Sequence, residues 1–241
     1  MYAQGREDAI LILTRKSGEG ISIGPSVRVV VLEVKGSSVR LGIEAPEGVR
    51  VHRDEVLRRI EEENRHAMES PRESVSGGVP QAVGTTGKGR ESMSTFMTVR
   101  FGEIPVAESR VIRFPDGLPG FPGAHRFLLL ETGEAQVFYW LQSLDDPALA
   151  FVVMDPALLV PDYMARLVLP EWDREFFSPL ASTSLTAMVI VTFSGETATA
   201  NLLAPLLVRD EERLGRQVIL AESEEWLRHP VFLPKKNSEA P

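Results

Sequence analysis

Residues 70–95 read SPRESVSGGVPQAVGTTGKGRESMST: twenty-six positions with five Gly, five Ser and two Pro, and no Leu, Ile, Phe, Trp or Tyr. In a chain of 241 residues that is 43% hydrophobic, such a segment buries too little apolar surface to offset the entropy of ordering its backbone. It reads as a flexible linker, and a linker implies two bodies. The expected organisation is an N-terminal unit over 1–69 with its core at 10–69, and a larger unit over 96–241 with its core at 97–234. The first is small enough that its core would be thin in a monomer, so it is expected to oligomerise.

The chain has no cysteine, which removes disulfide and thiolate chemistry and suits a reducing compartment. Neither the N-terminal MYAQGREDA nor any later apolar run has the length of a membrane span. A cytoplasmic location is expected. The net charge of -8 is unevenly spread: residues 1–96 hold 14 Lys and Arg against 14 Asp and Glu, whereas 97–241 hold 12 against 20. Affinity for nucleic acid would have to come from a local basic patch in the first unit, because the acidic second unit repels phosphate.

The first unit reads as strands. ILILT (10–14), VRVVVLEV (27–34), SVRLGIE (38–44) and VRVH (49–52) are rich in β-branched residues and are separated by breaks such as GEG, IGPS, VKGSS and APEG. Short breaks favour an antiparallel meander. RDEVLRRIEEENRHAME then places Val56, Leu57 and Ile60 on one face of a helix, with Asp54 and Glu55 in the first turn, where the helix dipole favours carboxylates.

ILILTRKSGEGISIG, VKGSSVRLGIEAP and VRVHRDEVLRRIEEEN together resemble the carbon storage regulator CsrA over residues 10 to 69. The resemblance implies a strand-swapped homodimer that binds GGA-containing hairpin loops in messenger RNA leaders and represses translation. It implies an RNA surface made of Leu13, Thr14, Arg15 and Lys16 from the first strand of one protomer and Val51, His52 and Arg53 from the last strand of the other. Unstacked guanines are read by bidentate arginines and backbone edges, and phosphates by fixed charge, so Arg15 and Arg53 suit the task. From spacing alone, RK or HR beside a strand is more often a solvated edge that blocks aggregation, and the resemblance reverses that weighting. In this family the first strand starts at the initiator Met, whereas here nine residues precede Ile10. Asn64 at the helix end matches the position by which a protein antagonist binds members of the family; a helix-end Asn also serves as a plain cap.

The second unit again reads as β-rich. RVIRF, RFLLLE, QVFYWLQ, LAFVVMD, LTAMVIVTF and NLLAPLLV are separated by turn-rich FPDGLPGFPG, LDDP and SGET, with PDYMARLV and PEWDREFFS as short helices or turns. Many short strands at this spacing suggest a small barrel or sandwich with both sheet faces covered. RFPDGLPGFPGAHRFLLL, FYWLQSLDDPALAFVVMDP and NLLAPLLV resemble the flagellar assembly factor FliW over 97 to 234. That resemblance implies a compact β-barrel-like domain that binds flagellin and, when free of it, binds the carbon storage regulator and blocks its RNA binding.

Enzymatic readings are weaker. Asp145-Asp146 before Pro147 reads as a turn, since adjacent strand residues face opposite ways. His125, Ser143 and Asp155 form a triad only on paper, with no nucleophile-elbow sequence. Gly87-Lys88 lacks the rest of a phosphate loop, with Ala82 and Gly89 where that motif has Gly and Ser or Thr. Four histidines and no cysteine leave no metal spacing. Phe121, Trp140 and Phe151 read as core rather than as stacking platforms. No enzyme activity, metal or cofactor is therefore expected.

The sequence-based reading is a mainly β, two-domain regulator: an RNA-binding dimer, a linker, and a flagellin-sensing antagonist of that RNA binding. A linker of this composition spans roughly 30 Å, which gives an effective concentration of about millimolar and favours self-inhibition. The alternative is a flagellin-binding assembly chaperone whose vestigial N-terminal unit only dimerises. A laboratory-made fusion is a third reading.

Overall fold

The computed structural model describes residues 10–46, 48–69, 81–83, 93–131, 137–178, 184–220 and 224–232. The chain divides into two compact units, one ending at Arg50 and one beginning at Val51.

In the first unit, β1 (Gly20–Ile23), β2 (Val27–Lys35) and β3 (Ser38–Glu44) form an antiparallel sheet in sequence order. Gly20 opposes Val30, and Val29 opposes Ile43. The tight turns after β1 and β2 use Gly24 and Gly36, whose φ of 60° and 56° is a region L side chains rarely enter. No described residue from 10 to 50 is buried. Ile10, Leu11 and Ile12, expected in a first strand, are 79–87% exposed and carry no strand pairing, and residues 49–52 form no strand either. Propensity alone does not make a strand; each of these segments lacks a pairing edge within the described chain.

The second unit opens with α1 (Asp54–Glu69), as its apolar spacing predicts. Next come β4 (Gln81–Ala82), β5 (Met93–Thr98), β6 (Gly102–Ala107), β7 (Val111–Arg113), β8 (Arg126–Glu131), β9 (Tyr139–Ser143) and β10 (Ala150–Met154). Two short helices, α2 (Tyr163–Arg166) and α3 (Glu171–Arg174), precede β11 (Leu185–Ser194), β12 (Thr197–Ala200), β13 (Leu206–Arg209), β14 (Leu214–Gln217) and β15 (His229–Val231). The order β10-β9-β8-β7-β14-β13-β11 closes through β10–β11 pairing, giving a seven-stranded barrel. Closure removes free edges from the seven. β12 and β15 extend the sheet from β11, and β5–β6 is a separate hairpin.

The stretch 70–95, expected to be linker throughout, is in part paired backbone. Gln81 and Ala82 pair with Glu131 and Leu130 of β8, Val83 N donates to Leu129 O at 2.9 Å, and Met93–Thr95 begin β5. Leu130 and Glu131 lie beyond the part of β8 that pairs with β7, and backbone groups there pair whatever the side chains, so low hydrophobicity does not forbid this. Residues 70–80 and 84–92 lie outside the described residues.

The barrel core is dense. Trp140, Phe127, Phe151, Leu141, Val189 and Leu206 have no exposed surface, and α1 adds Val56, Ile60 and Ala67 to the barrel's two apolar clusters.

Candidate functional site: the seat of α1 on the barrel

α1 lies over β10 and β11 and packs one face inward. Val56, Ile60, Glu63, Asn64 and Ala67 recur at the spacing of one helical face, and all five are buried. Ile60 is 0% exposed, a burial worth about 1.5–3 kcal/mol for such a side chain. A charged and an amide side chain inside an apolar face are costly unless paired, and both are paired.

Asn64 Nδ2 donates to Gln217 Oε1 at 2.8 Å and to Pro119 O at 2.9 Å. Gln217, at the end of β14 and 3% exposed, donates back to Asn64 Oδ1 at 3.4 Å and to Ala204 O at 3.0 Å. The Gln217 amide is thereby oriented, with its oxygen toward the helix. Glu63, 5% exposed, accepts from Arg228 Nε at 2.6 Å and from Arg228 Nη2. Hydrogen bonding and Coulombic attraction from Glu63 push the Arg228 guanidinium above its ordinary pKa.

The Pro119 carbonyl is presented by the turn Leu118–Phe121. Phe121 N donates to Leu118 O at 2.7 Å and Gly120 has φ 85°, the pattern of a type II turn with Pro second and Gly third. A Cβ on Gly120 would stand 3.2 Å from Glu61 O, so the turn touches the helix backbone. Gly117, φ 66°, is crowded by its own loop, since a Cβ there would meet Pro122 O at 2.7 Å.

Immediately before α1, the His52 ring meets the Trp172 indole edge-on, with centroids 6.0 Å apart. Arg53 is exposed, and its carbonyl accepts from Val56 N and Leu57 N at the start of α1. Val51 is half-buried. Leu13, Thr14, Arg15 and Lys16 belong to the first unit and are exposed. Arg15 turns back to donate to Thr14 O and Gly20 O, at 2.9 and 3.2 Å, and Lys16 N donates to Glu19 at 2.8 Å.

The residues weighed for catalysis are engaged separately. Asp145 Oδ2 accepts from His125 N and Arg126 N, at 2.6 and 2.8 Å, while Asp146 Oδ1 accepts from Ala148 N at 2.9 Å. Asp146 thus fixes its own turn, and Asp145 ties that turn to the start of β8. Ser143 Oγ accepts from the Asp145 and Asp146 amides, His125 Nδ1 lies 3.1 Å from Phe114 O, and Asp155 caps Ala157 N. Trp140 and Phe151 are wholly buried, and Phe121 packs edge-on against Phe151 at 5.5 Å. Gly87 and Lys88 lie outside the described residues. Among the described residues no cluster of three or more His, Asp or Glu has the arrangement of a metal site, and no helix is long and apolar enough to cross a membrane.

Residues 95–231 match the profile of the FliW protein family. The chain belongs to the FliW family. Residues 10–62 match a second profile, that of the CsrA global regulator protein family, so the FliW domain is fused behind a CsrA-type segment. The flagellar assembly factor FliW of Bdellovibrio bacteriovorus is 36% identical over 137 residues, 56% of this chain and 77% of the relative. That of Caldanaerobacter subterraneus subsp. tengcongensis is 36% identical over 147 residues, 58% and 95%. A crystal structure of the flagellar assembly factor FliW matches with 33% identity and a TM-score of 0.52, covering 59% of this chain and 99% of that one. The seat is therefore built where the two families meet: α1 begins inside the CsrA match and its cradle is FliW barrel.

Sequence reasoning singled out Asn64 but not the residues that receive it. Gln217, Arg228 and Trp172 lie 153, 165 and 120 positions from Asn64, Glu63 and His52. Pro119 and Gly120 stood in the quoted GLPGFP, where a Pro-Gly pair marks a turn without saying what the turn touches.

Proposed function

We propose that this chain is a post-transcriptional repressor of the CsrA type joined to its own antagonist. The N-terminal unit binds GGA-containing hairpins of messenger RNA leaders, and the FliW domain restrains it until flagellin captures that domain. The protein acts in the cytoplasm as a homodimer through its N-terminal unit, without catalysis, metal or cofactor. The observation that carries this reading is the burial of Asn64 between Gln217 and Pro119 O, because an amide on a solvated helix face would need no such cradle, and Asn64 lies within α1 rather than capping it. The dimer is supported by the first unit itself. Its β-sheet buries no side chain, and Ile10, Leu11, Ile12, Leu41 and Ile43 are exposed, a state that a second protomer would relieve.

RNA binding by the intact protein and by Asn64→Asp tests the reading. A carboxylate at 64 cannot donate, and it would face Pro119 O and Gln217 Oε1, both acceptors. Two unmet buried acceptors cost about 1–3 kcal/mol each, more with the added charge, so α1 leaves its seat. The intact chain should shift a GGA hairpin weakly, and Asn64→Asp or added flagellin should raise affinity at least about tenfold, a change of about 1.4 kcal/mol. No hairpin binding by any form, with flagellin still captured, would favour the assembly-chaperone reading. Arg15, folded back on its own backbone, is the observation on that side.

A further inference from the structure

β4 is short, yet the barrel is shaped to hold it. It belongs to neither matched family, since the CsrA match ends at residue 62 and the FliW match begins at residue 95. β7 pairs with β8 only over Arg126–Leu128, and the chain enters β7 from the tight helical turn Glu108–Arg110. The edge of β8 at Leu129–Glu131 is thereby left to another strand, and Gln81–Val83 lie along it. β4 and β7 both run antiparallel to β8, so they stand end to end like two pieces of one interrupted strand.

Three contacts hold β4, and two of them read backbone alone. Val83 N donates to Leu129 O at 2.9 Å. In an antiparallel ladder that bond flanks a non-hydrogen-bonded pair, so the N–H and C=O of Ala82, opposite Leu130, point away from β8. Arg110 Nη1 donates to that outward carbonyl at 2.7 Å. Arg110 is half-buried and forms no ion pair among the described residues. Its own carbonyl accepts from Arg213 Nη2 at 2.7 Å, which fixes the turn that carries it. A charged donor makes the stronger kind of hydrogen bond, and here it is given to a segment outside the matched barrel sequence. The third contact is the Ala82 side chain, which shares a face with Leu130, 1% exposed, and packs on the larger apolar cluster.

We propose that Leu129–Glu131 and Arg110 form a strand-acceptor site for an extended peptide segment with a small apolar residue at its centre, and that β4 closes this site from within. Backbone bonds supply the affinity and the one inward side chain supplies the selection, as where a peptide adds a strand to an open sheet edge. The central side chain enters the apolar layer beside Leu130, while the central carbonyl faces Arg110. β4 has two paired residues and no stability of its own. It holds by proximity, because the nine residues 84–92 join it to β5 and keep it at an effective concentration of about millimolar. A partner segment enters by displacing it. The site rests on the barrel's geometry alone and stands whether or not the N-terminal unit binds RNA.

The test uses the full-length protein and a fluorescein-labelled peptide of residues 79–86, VPQAVGTT. Val83→Pro removes the N–H that bonds Leu129 O and keeps Ala82 extended, as a residue before proline prefers. Hydrogen exchange at Leu129–Glu131 should then rise with little change in the barrel's melting temperature. Peptide affinity, read by anisotropy, should exceed that of wild type at least about tenfold, a change of about 1.4 kcal/mol. Adding Arg110→Ala to Val83→Pro should lower it again by a similar factor. N-methylation of the Val83 amide in the peptide, or Ala82→Asp in the peptide, should abolish binding. If Val83→Pro frees the β8 edge and the peptide binds no tighter than to wild type, the edge accepts no strand from outside and the inference falls. Exchange unchanged in Val83→Pro and in a second release variant, Ala82→Asp, would show that backbone pairing does not hold the segment, and would overturn the inference equally. Undiminished binding of the N-methylated peptide would rule out strand addition. Association of the released barrels with one another, without peptide uptake, would make the occupant a second copy and overturn the inference as stated.

Discussion

Two β-structures in one chain show opposite solutions to the same problem. The N-terminal sheet β1–β2–β3 and the FliW barrel are both made of short β-branched runs joined by glycine turns, and both pair antiparallel almost throughout. The barrel closes on itself and has Phe127, Trp140 and Phe151 at 0% exposure, whereas no described residue of 10–50 is buried. A sheet needs a second layer against its apolar face. The barrel makes that layer from its own far wall and from α1. The N-terminal sheet has none among the described residues of its own unit, so its order should depend on another molecule.

The strongest way to break this contrast is to perturb each side separately. Phe127→Ala should destabilise the barrel by about 3–5 kcal/mol, because the ring is fully buried and meets Phe114 edge-on. That loss should not depend on protein concentration. Hydrogen exchange of β2 and β3 in the wild-type chain should instead accelerate on dilution, as expected where folding is linked to association. Protection of β2 and β3 that is unchanged over a hundredfold dilution would mean that the sheet is stable as a monomer, and the proposed dimer would lose its physical motive.

A smaller effect sharpens the role of α1 as part of the barrel's second layer. Gly120→Ala faces two penalties: a φ of 85° that L residues rarely adopt, and a Cβ 3.2 Å from Glu61 O. The atoms nearest that Cβ all belong to Glu61, whereas at Gly117 they belong to the turn's own loop. Docking of α1 should weaken by about 1–3 kcal/mol, read as faster exchange of α1 amides with the barrel's melting temperature shifted less. Unchanged protection of α1 would show that the turn does not press on the helix, and that Asn64 and Ile60 hold it unaided.

How much of this was legible in the sequence follows from range. β2, β3, β8 and α1 were readable because their period and flanking turns are local. Residues 10–14 and 49–52 read as strands on composition and form none, since a strand is defined by an edge that composition does not name. β4 and the start of β5 hid inside a polar stretch for the converse reason: their pairing partners, not their side chains, make them strands. NLLAPLLV gave one strand only at Leu206–Arg209, because Asn201 Oδ1 accepts from Ala204 N and turns the chain before Pro205. The helix seat was half legible. Asn64 was reachable through resemblance, whereas Gln217 sits in RLGRQVIL with no local signal at all.

The smallest expected effect contrasts an exposed polar pair with a buried ring in one short helix. Arg166 donates from Nε to Asp162 Oδ2 at 2.9 Å, and this hydrogen bond holds the Asp162 carboxyl below its ordinary pKa. A depressed carboxyl pKa contributes stability above the unfolded value of about 3.9 and loses it as pH falls through the folded value. Asp162 is exposed, so water screens the pair and little stability rests on it. α2 is held instead by Tyr163, which is 0% exposed, donates from its hydroxyl to Leu202 O at 2.6 Å and stacks on Trp226 at 5.6 Å. Asp162→Asn should therefore leave the barrel's melting temperature at pH 7 within measurement error, and any small deficit should vanish in acid, once the pH has passed below the lowered pKa of the wild-type carboxyl. Tyr163→Phe should cost more at both pH values, because it strands a buried carbonyl. A clear loss for Asp162→Asn at pH 7 that exceeds that of Tyr163→Phe would reverse the order and place the hold on α2 at the surface rather than in the core.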